Sequence, residues 1–250
     1  MAAVVFALAP CASPHPMGNF SVSHYAAIQV ARSEVKIRYI VDMAEIPTFQ
    51  QMQDTGVPAN AADARVTKYV AHEQEILRSG LRLFIDHREL RLHSISRQVL
   101  FTPGAGGLPT MKLGFVFTAA FDLPDNVKTV VLDYLDDNFP DRIGWKEIIA
   151  SASNGTTIVR SSVPGKDRSL ALTNYPADLI SSPPQQLTAH VEYSIVRERQ
   201  VSIAALPATA PILPPPTSAP KVSQPRLAPN ANGTPRSAFT ELINRSDWGL

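Results

Sequence analysis

The chain has 250 residues, 44% hydrophobic and 18% charged, with 23 basic against 22 acidic side chains for a net charge of +1. That length allows one large or two small domains with a sizeable core, and the balanced charge excludes nucleic-acid binding through bulk electrostatics. A single cysteine, Cys11, excludes an internal disulfide framework and a zinc site built on several thiolates.

In chain order, residues 2–9 (AAVVFALA) are wholly apolar, and no Lys or Arg occurs before Arg32. The block has the length of a signal-peptide core and is too short to span a bilayer, so residues 1–14 are predicted to be an export leader despite lacking a basic start. Pro10, Pro14 and Pro16 keep the segment after this block extended.

From Phe20, the residues Val22, Ala26, Ile28 and Val30 share one face, with His24 on the same parity. Val35, Ile37, Tyr39 and Val41 alternate with Glu34, Lys36 and Arg38, and Ala31-Arg32-Ser33 joins the two runs as a hairpin. Residues 44–53 (AEIPTFQQMQ) read as a turn or short helix. Val66, Tyr69, Val70, Ile76 and Leu77 form a helical stripe over residues 61–79, closed by Gly80.

The period then returns to two. Leu81, Leu83 and Ile85 lead to a turn at Asp86-His87, and residues 90–100 return. Met111, Leu113, Phe115, Phe117, Ala119 and Phe121 make the clearest strand. Residues 127–135, 143–150 and 156–160 continue the series, and Leu187, Ala189, Val191, Tyr193 and Ile195 close it. Roughly eight or nine short strands with one inserted helix predict a mainly β fold, an antiparallel β-sandwich of Ig-like general architecture over residues 15–199.

The composition then shifts. Nine of the 22 prolines lie between Pro207 and Pro235, and no acidic residue occurs between Glu198 and Glu241. Residues 200–236 are therefore expected to be a disordered, partly polyproline-II linker. Phe239, Leu242 and Ile243 restore helical spacing, so residues 237–250 are expected to start a further helical segment.

Few motifs carry chemistry. Gly104, Gly106 and Gly107 suggest a phosphate loop, but the Lys-Ser/Thr is absent and Pro109 blocks a helix, which leaves a turn between strands. His72 and Glu75 lack the second histidine of a zinc-peptidase helix, and no serine sits in a nucleophile elbow, so no enzyme is expected. The acidic knot of Asp133, Asp136, Asp137, Asn138 and Asp141 offers oxygen ligands for a hard cation such as calcium. The competing reading is a tight turn with side-chain caps. His15 and His24, with Met17 and Met43 as softer neighbours, suit nickel, cobalt, copper or zinc, against the alternative of hydrogen-bonded core histidines.

Residues 15–30 (HPMGNFSVSHYAAIQV) and 39–50 (YIVDMAEIPTFQ) resemble the extracytoplasmic N-terminal domain of bacterial nickel/cobalt permeases of the NicO type. The likeness continues at FTPGAGGLPTMKL, LDYLDDNFPDRIGWKEI and RSAFTELI, and so covers most of residues 15–247. In that family a signal peptide precedes the domain, and the linker leads to a bundle of membrane helices whose histidines carry the ion. The resemblance implies an exported domain associated with nickel or cobalt transport, with Leu250 near the point where the bundle would begin. Its partner would be the permease's membrane domain, missing from this chain, or the membrane surface near its C-terminal end, and not nucleic acid. His15, His24, Asp42 and Glu45 lie in the matching strings and are the candidates for metal capture. The other expectation is a secreted or surface interaction module with no metal role.

Overall fold

The computed structural model describes residues 15–153 and 155–196. The expected leader, the proline-rich linker and the terminal helical segment lie outside the described residues, as do the last three residues assigned to the sandwich.

The alternating runs become strands. β1 (Val22–Val30) and β2 (Glu34–Met43) form the expected hairpin, paired from Val22↔Met43 to Val30↔Val35. α1 (Glu45–Thr55) and α2 (Ala64–Ser79) follow. Next come β3 (Leu81–Ile85), β4 (Arg88–Leu90), β5 (His93–Pro103) and β6 (Pro109–Ala120). β7 (Thr129–Asp136), β8 (Lys146–Ala152), β9 (Thr156–Ser161) and β10 (Thr188–Ile195) complete the described chain. Two five-stranded sheets result, in the orders β5-β6-β2-β1-β8 and β4-β3-β7-β10-β9.

Every pairing is antiparallel except β1 with β8, because β8 enters the first sheet after the chain has crossed over from β7 in the second. A second helix joins the expected one: α1 tolerates Pro47 because the residue lies in its first turn, where the missing N–H costs nothing. The region 90–100 is two elements, the short β4 and the long β5, whose pairing with β6 carries a bulge between Ser94 and Ser96.

One core fills the space between the sheets. Val22, Ile28, Ile37, Tyr39, Phe115 and Phe117 from the first sheet meet Leu83, Leu132, Tyr134, Val191 and Tyr193 from the second. A smaller core lies on the other face of the first sheet, where Tyr25, Ala27, Ile40 and Trp145 are covered by Ala171 and Leu172, with Tyr175 and Leu179 against them. β1 and β2 are thus buried on both faces. The covering segment makes a left-handed turn at Leu170, Ala171 and Leu172 (φ 48, 54 and 60°), a conformation costing L-residues roughly 1–2 kcal/mol each.

Candidate functional site

The strand parity that places Val22 and Ile28 in the main core also places His24 there, 2% exposed. Tyr39 reaches it from β2. On β7 the inward parity of Val130, Leu132 and Tyr134 ends at Asp136, also 2% exposed. His24 Nδ1 lies 2.7 Å from Asp136 Oδ2, while Asp136 Oδ1 accepts from the Tyr39 hydroxyl at 3.2 Å and the Asn138 amide at 3.0 Å. A carboxylate only accepts, so this bond requires the proton on Nδ1. The buried Nε2 has no hydrogen-bond partner among the described residues. Burial and the Asp136 charge push the Tyr39 hydroxyl far above its ordinary pKa, so it remains a donor.

The opposite parity of β2 turns Asp42 to the outer face of the same sheet. Its Oδ2 takes His15 Nε2 at 3.2 Å, the Tyr175 hydroxyl at 2.8 Å, and Lys112 Nζ as an ion pair at 3.4 Å. Burial pushes the Asp42 carboxyl up, but Lys112, His15 and Tyr175 outweigh it and hold the group below its ordinary value. His15 Nδ1 accepts from the Met17 amide at 3.3 Å, and Ser21 Oγ sits 3.1 Å away while donating to the Gly18 carbonyl at 2.8 Å. Lys112 also donates to the Leu172 carbonyl at 2.6 Å, tying the left-handed turn to this cluster. Serine, histidine and aspartate stand in series here, but all three are buried.

Glu45 begins α1, and its Oε1 accepts from the Ala105 amide at 2.7 Å, while the buried Oε2 has no partner among the described residues. A Cβ at Gly104 would stand 2.6 Å from that Oε1, so the first glycine of the rich string permits a close approach. Gly106 and Gly107 supply positive φ (65 and 76°) to the turn between β5 and β6, the role expected from the sequence.

The structure therefore joins His15 to Asp42 and His24 to Asp136, on opposite faces of one sheet, and sets Glu45 apart from both. The acidic knot divides as well. Asp133 points outward to His190 Nδ1 at 2.6 Å, Asp136 points into the core, and Asp137 and Asp141 are exposed. Asn138 is buried and donates to the Leu77 carbonyl at 3.0 Å, capping α2. Among the described residues, no group of three or more His, Cys, Asp and Glu side chains is placed to hold a metal ion.

Sequence reasoning missed several members of these networks. Lys112 lies in the FTPGAGGLPTMKL string but was not singled out there, and Tyr175 sits in a stretch that carries no motif. Glu147 was also missed; it accepts from Trp145 Nε1 at 2.8 Å, Ser169 Oγ at 2.6 Å and the Arg168 amide at 2.8 Å. Glu147 stands on a strand expected to be apolar, which was the available signal.

The motif-bearing segments meet at one end of the sandwich. The Val22 amide donates to the Ile143 carbonyl at 2.9 Å and the His24 amide to Trp145 at 2.8 Å. The Ala44 amide bonds Ser21 and the Ile46 amide bonds Asn19, each at 3.0 Å. With the Glu45–Ala105 bond, these contacts join residues 15–24, 42–47, 103–109 and 136–145. The surface of this end exposes Phe20 (67%), Ile143 (73%) and Phe49 (41%). Beside them a cavity of about 280 Å³ is lined by Val22, Met43, Pro47, Gln50, Phe139 and Arg142, among others. No family model matches the sequence, and no curated protein matches it.

Proposed function

We propose that the chain is the extracytoplasmic domain of a nickel/cobalt permease of the NicO type and acts by docking its motif-bearing end on the transport machinery, gating it. One observation carries the reading: segments from four of the five strings on which the resemblance rests, all those among the described residues, are hydrogen-bonded together at one end and leave Phe20, Ile143 and Phe49 bare there. Apolar side chains this exposed, clustered beside a cavity, are the usual mark of an interaction surface.

Gating fits the geometry better than capture. Capture needs His15, His24, Asp42 and Glu45 to face one point; His15 and His24 are instead spent on separate aspartates. The ion is the cargo of the partner on this reading, and His15 and His24 keep the docking end in shape.

The test is nickel accumulation in cells that co-express the full chain with a nickel/cobalt permease membrane domain. Phe20→Asp combined with Ile143→Asp is expected to abolish any effect of the chain on uptake while leaving its melting temperature unchanged. Uptake unaffected by the double substitution contradicts docking. A nickel titration of the chain alone that saturates below about 10 µM and is lost in His15→Ala would move the function to capture.

A further inference from the structure

On a different part of the surface, α2, β3 and the link from β4 to β5 enclose an open cleft of about 430 Å³. Arg78, Arg82 and Arg91 line it above Leu81, Leu90 and Leu92, and Glu89 is the lone carboxylate among its lining residues. The lining thus carries three guanidiniums and one carboxylate, with Glu75, the partner of Arg78, beside it.

The guanidiniums are held in place but not used up. Arg78 grips Glu75 through Nε at 2.9 Å and Nη2 at 2.8 Å. Arg82 meets Glu89 through Nε at 3.1 Å and Nη2 at 3.5 Å, and its guanidinium carbon lies 5.0 Å over the Phe84 ring. A side-on pair of this kind engages two of the five N–H donors of an arginine, leaving the Nη1 end open. Arg91 makes no ion pair among the described residues, and its charge only adds to the stronger pull of Arg78 on the Glu75 carboxyl. Two braced guanidiniums and one unpaired one around an apolar floor match a ligand with several anionic oxygens, the chemistry arginine recognises best.

We propose that Arg78, Arg82 and Arg91 form a binding site for a multiply charged oxyanion, of which phosphate is the simplest. The same chemistry arises from a free phosphorylated solute or from a phosphate headgroup on a lipid surface. The site lies apart from the docking end and does not depend on its role.

The full chain is titrated with inorganic phosphate by calorimetry in a low-salt, phosphate-free buffer. One saturable site is expected with Kd of about 1 mM, weakening with added sodium chloride because the cleft is open to solvent. Arg91→Gln and Arg82→Gln are each expected to weaken it about tenfold, and Arg160→Gln, on β9, to leave it unchanged. Arg91 is exposed and makes no ion pair among the described residues, so its substitution separates binding from folding. Co-sedimentation with vesicles of phosphatidylcholine alone or with phosphatidic acid distinguishes the sources. Retention on phosphatidic acid, lost in Arg91→Gln, assigns a headgroup, whereas phosphate binding without retention assigns a soluble ligand. No saturation by about 20 mM phosphate with no vesicle binding, or equal binding in Arg91→Gln, overturns the proposal.

Discussion

Replacing Asp136 by alanine tests the buried network most sharply. The substitution removes the acceptor of three donors at once: His24 Nδ1, the Tyr39 hydroxyl and the Asn138 amide. His24 and Tyr39 are almost fully buried, so water cannot replace the carboxylate without entering the core. Each orphaned donor costs roughly 1–3 kcal/mol, and breaking a buried pair by removing one partner costs roughly 3–5 kcal/mol, so a loss of about 4 kcal/mol is expected. For a body of this size that lowers Tm by about 8–16 °C. Urea unfolding of the full chain, followed by tryptophan fluorescence, measures it, because Trp145 is fully buried. Asp136→Asn keeps one acceptor and should lose about half as much, which preserves the test if the alanine variant fails to fold. Asp133→Ala, which removes the half-exposed partner of His190, should change stability by less than about 0.5 kcal/mol. A loss below about 1 kcal/mol for Asp136→Ala would refute the reasoning.

Gly144→Ala would drive a Cβ to 2.2 Å from the Val22 carbonyl and should cost more than about 2 kcal/mol, whereas Gly106→Ala meets open space and should cost about 1 kcal/mol for its positive φ; chemical denaturation ranks them. Asp42 has a native value below its ordinary 3.8, so its contribution is present above that pH and disappears as pH falls through the native value. Asp42→Asn should therefore flatten the stability profile below about pH 4, and an unchanged acid limb in thermal melts would contradict the assignment. Leu170 is 56% exposed at φ 48°, so Leu170→Gly should raise stability by up to about 1 kcal/mol; a lower Tm would show that its side chain packs.

The sequence reveals the sandwich because period-two alternation is a local signal, and β1, β2, β6, β7 and β10 all display it. The parallel placement of β8 beside β1 was not legible, since nothing in residues 146–152 records which strand lies alongside. The candidate site was half legible. The parity of His24 correctly put it on the inner face, but its partner Asp136 is 112 residues away and read as part of a loop. Asp133 and Asp136 looked like one acidic cluster until the pleat sent them to opposite faces, a separation that depends on the strand running through Asp136. Lys112 and Tyr175 were invisible because burial of the outer face depends on a covering segment whose left-handed turn has no glycine to announce it.

The proposed docking surface is tested most directly by placing a photocrosslinking residue at Phe20 and, in a separate chain, at Val159 on β9, which is also exposed. Each is irradiated in cells that also contain a nickel/cobalt permease membrane domain. The account predicts a crosslinked product with that domain from position 20 and none from position 159. Equal products from both positions, or none from position 20, would contradict it.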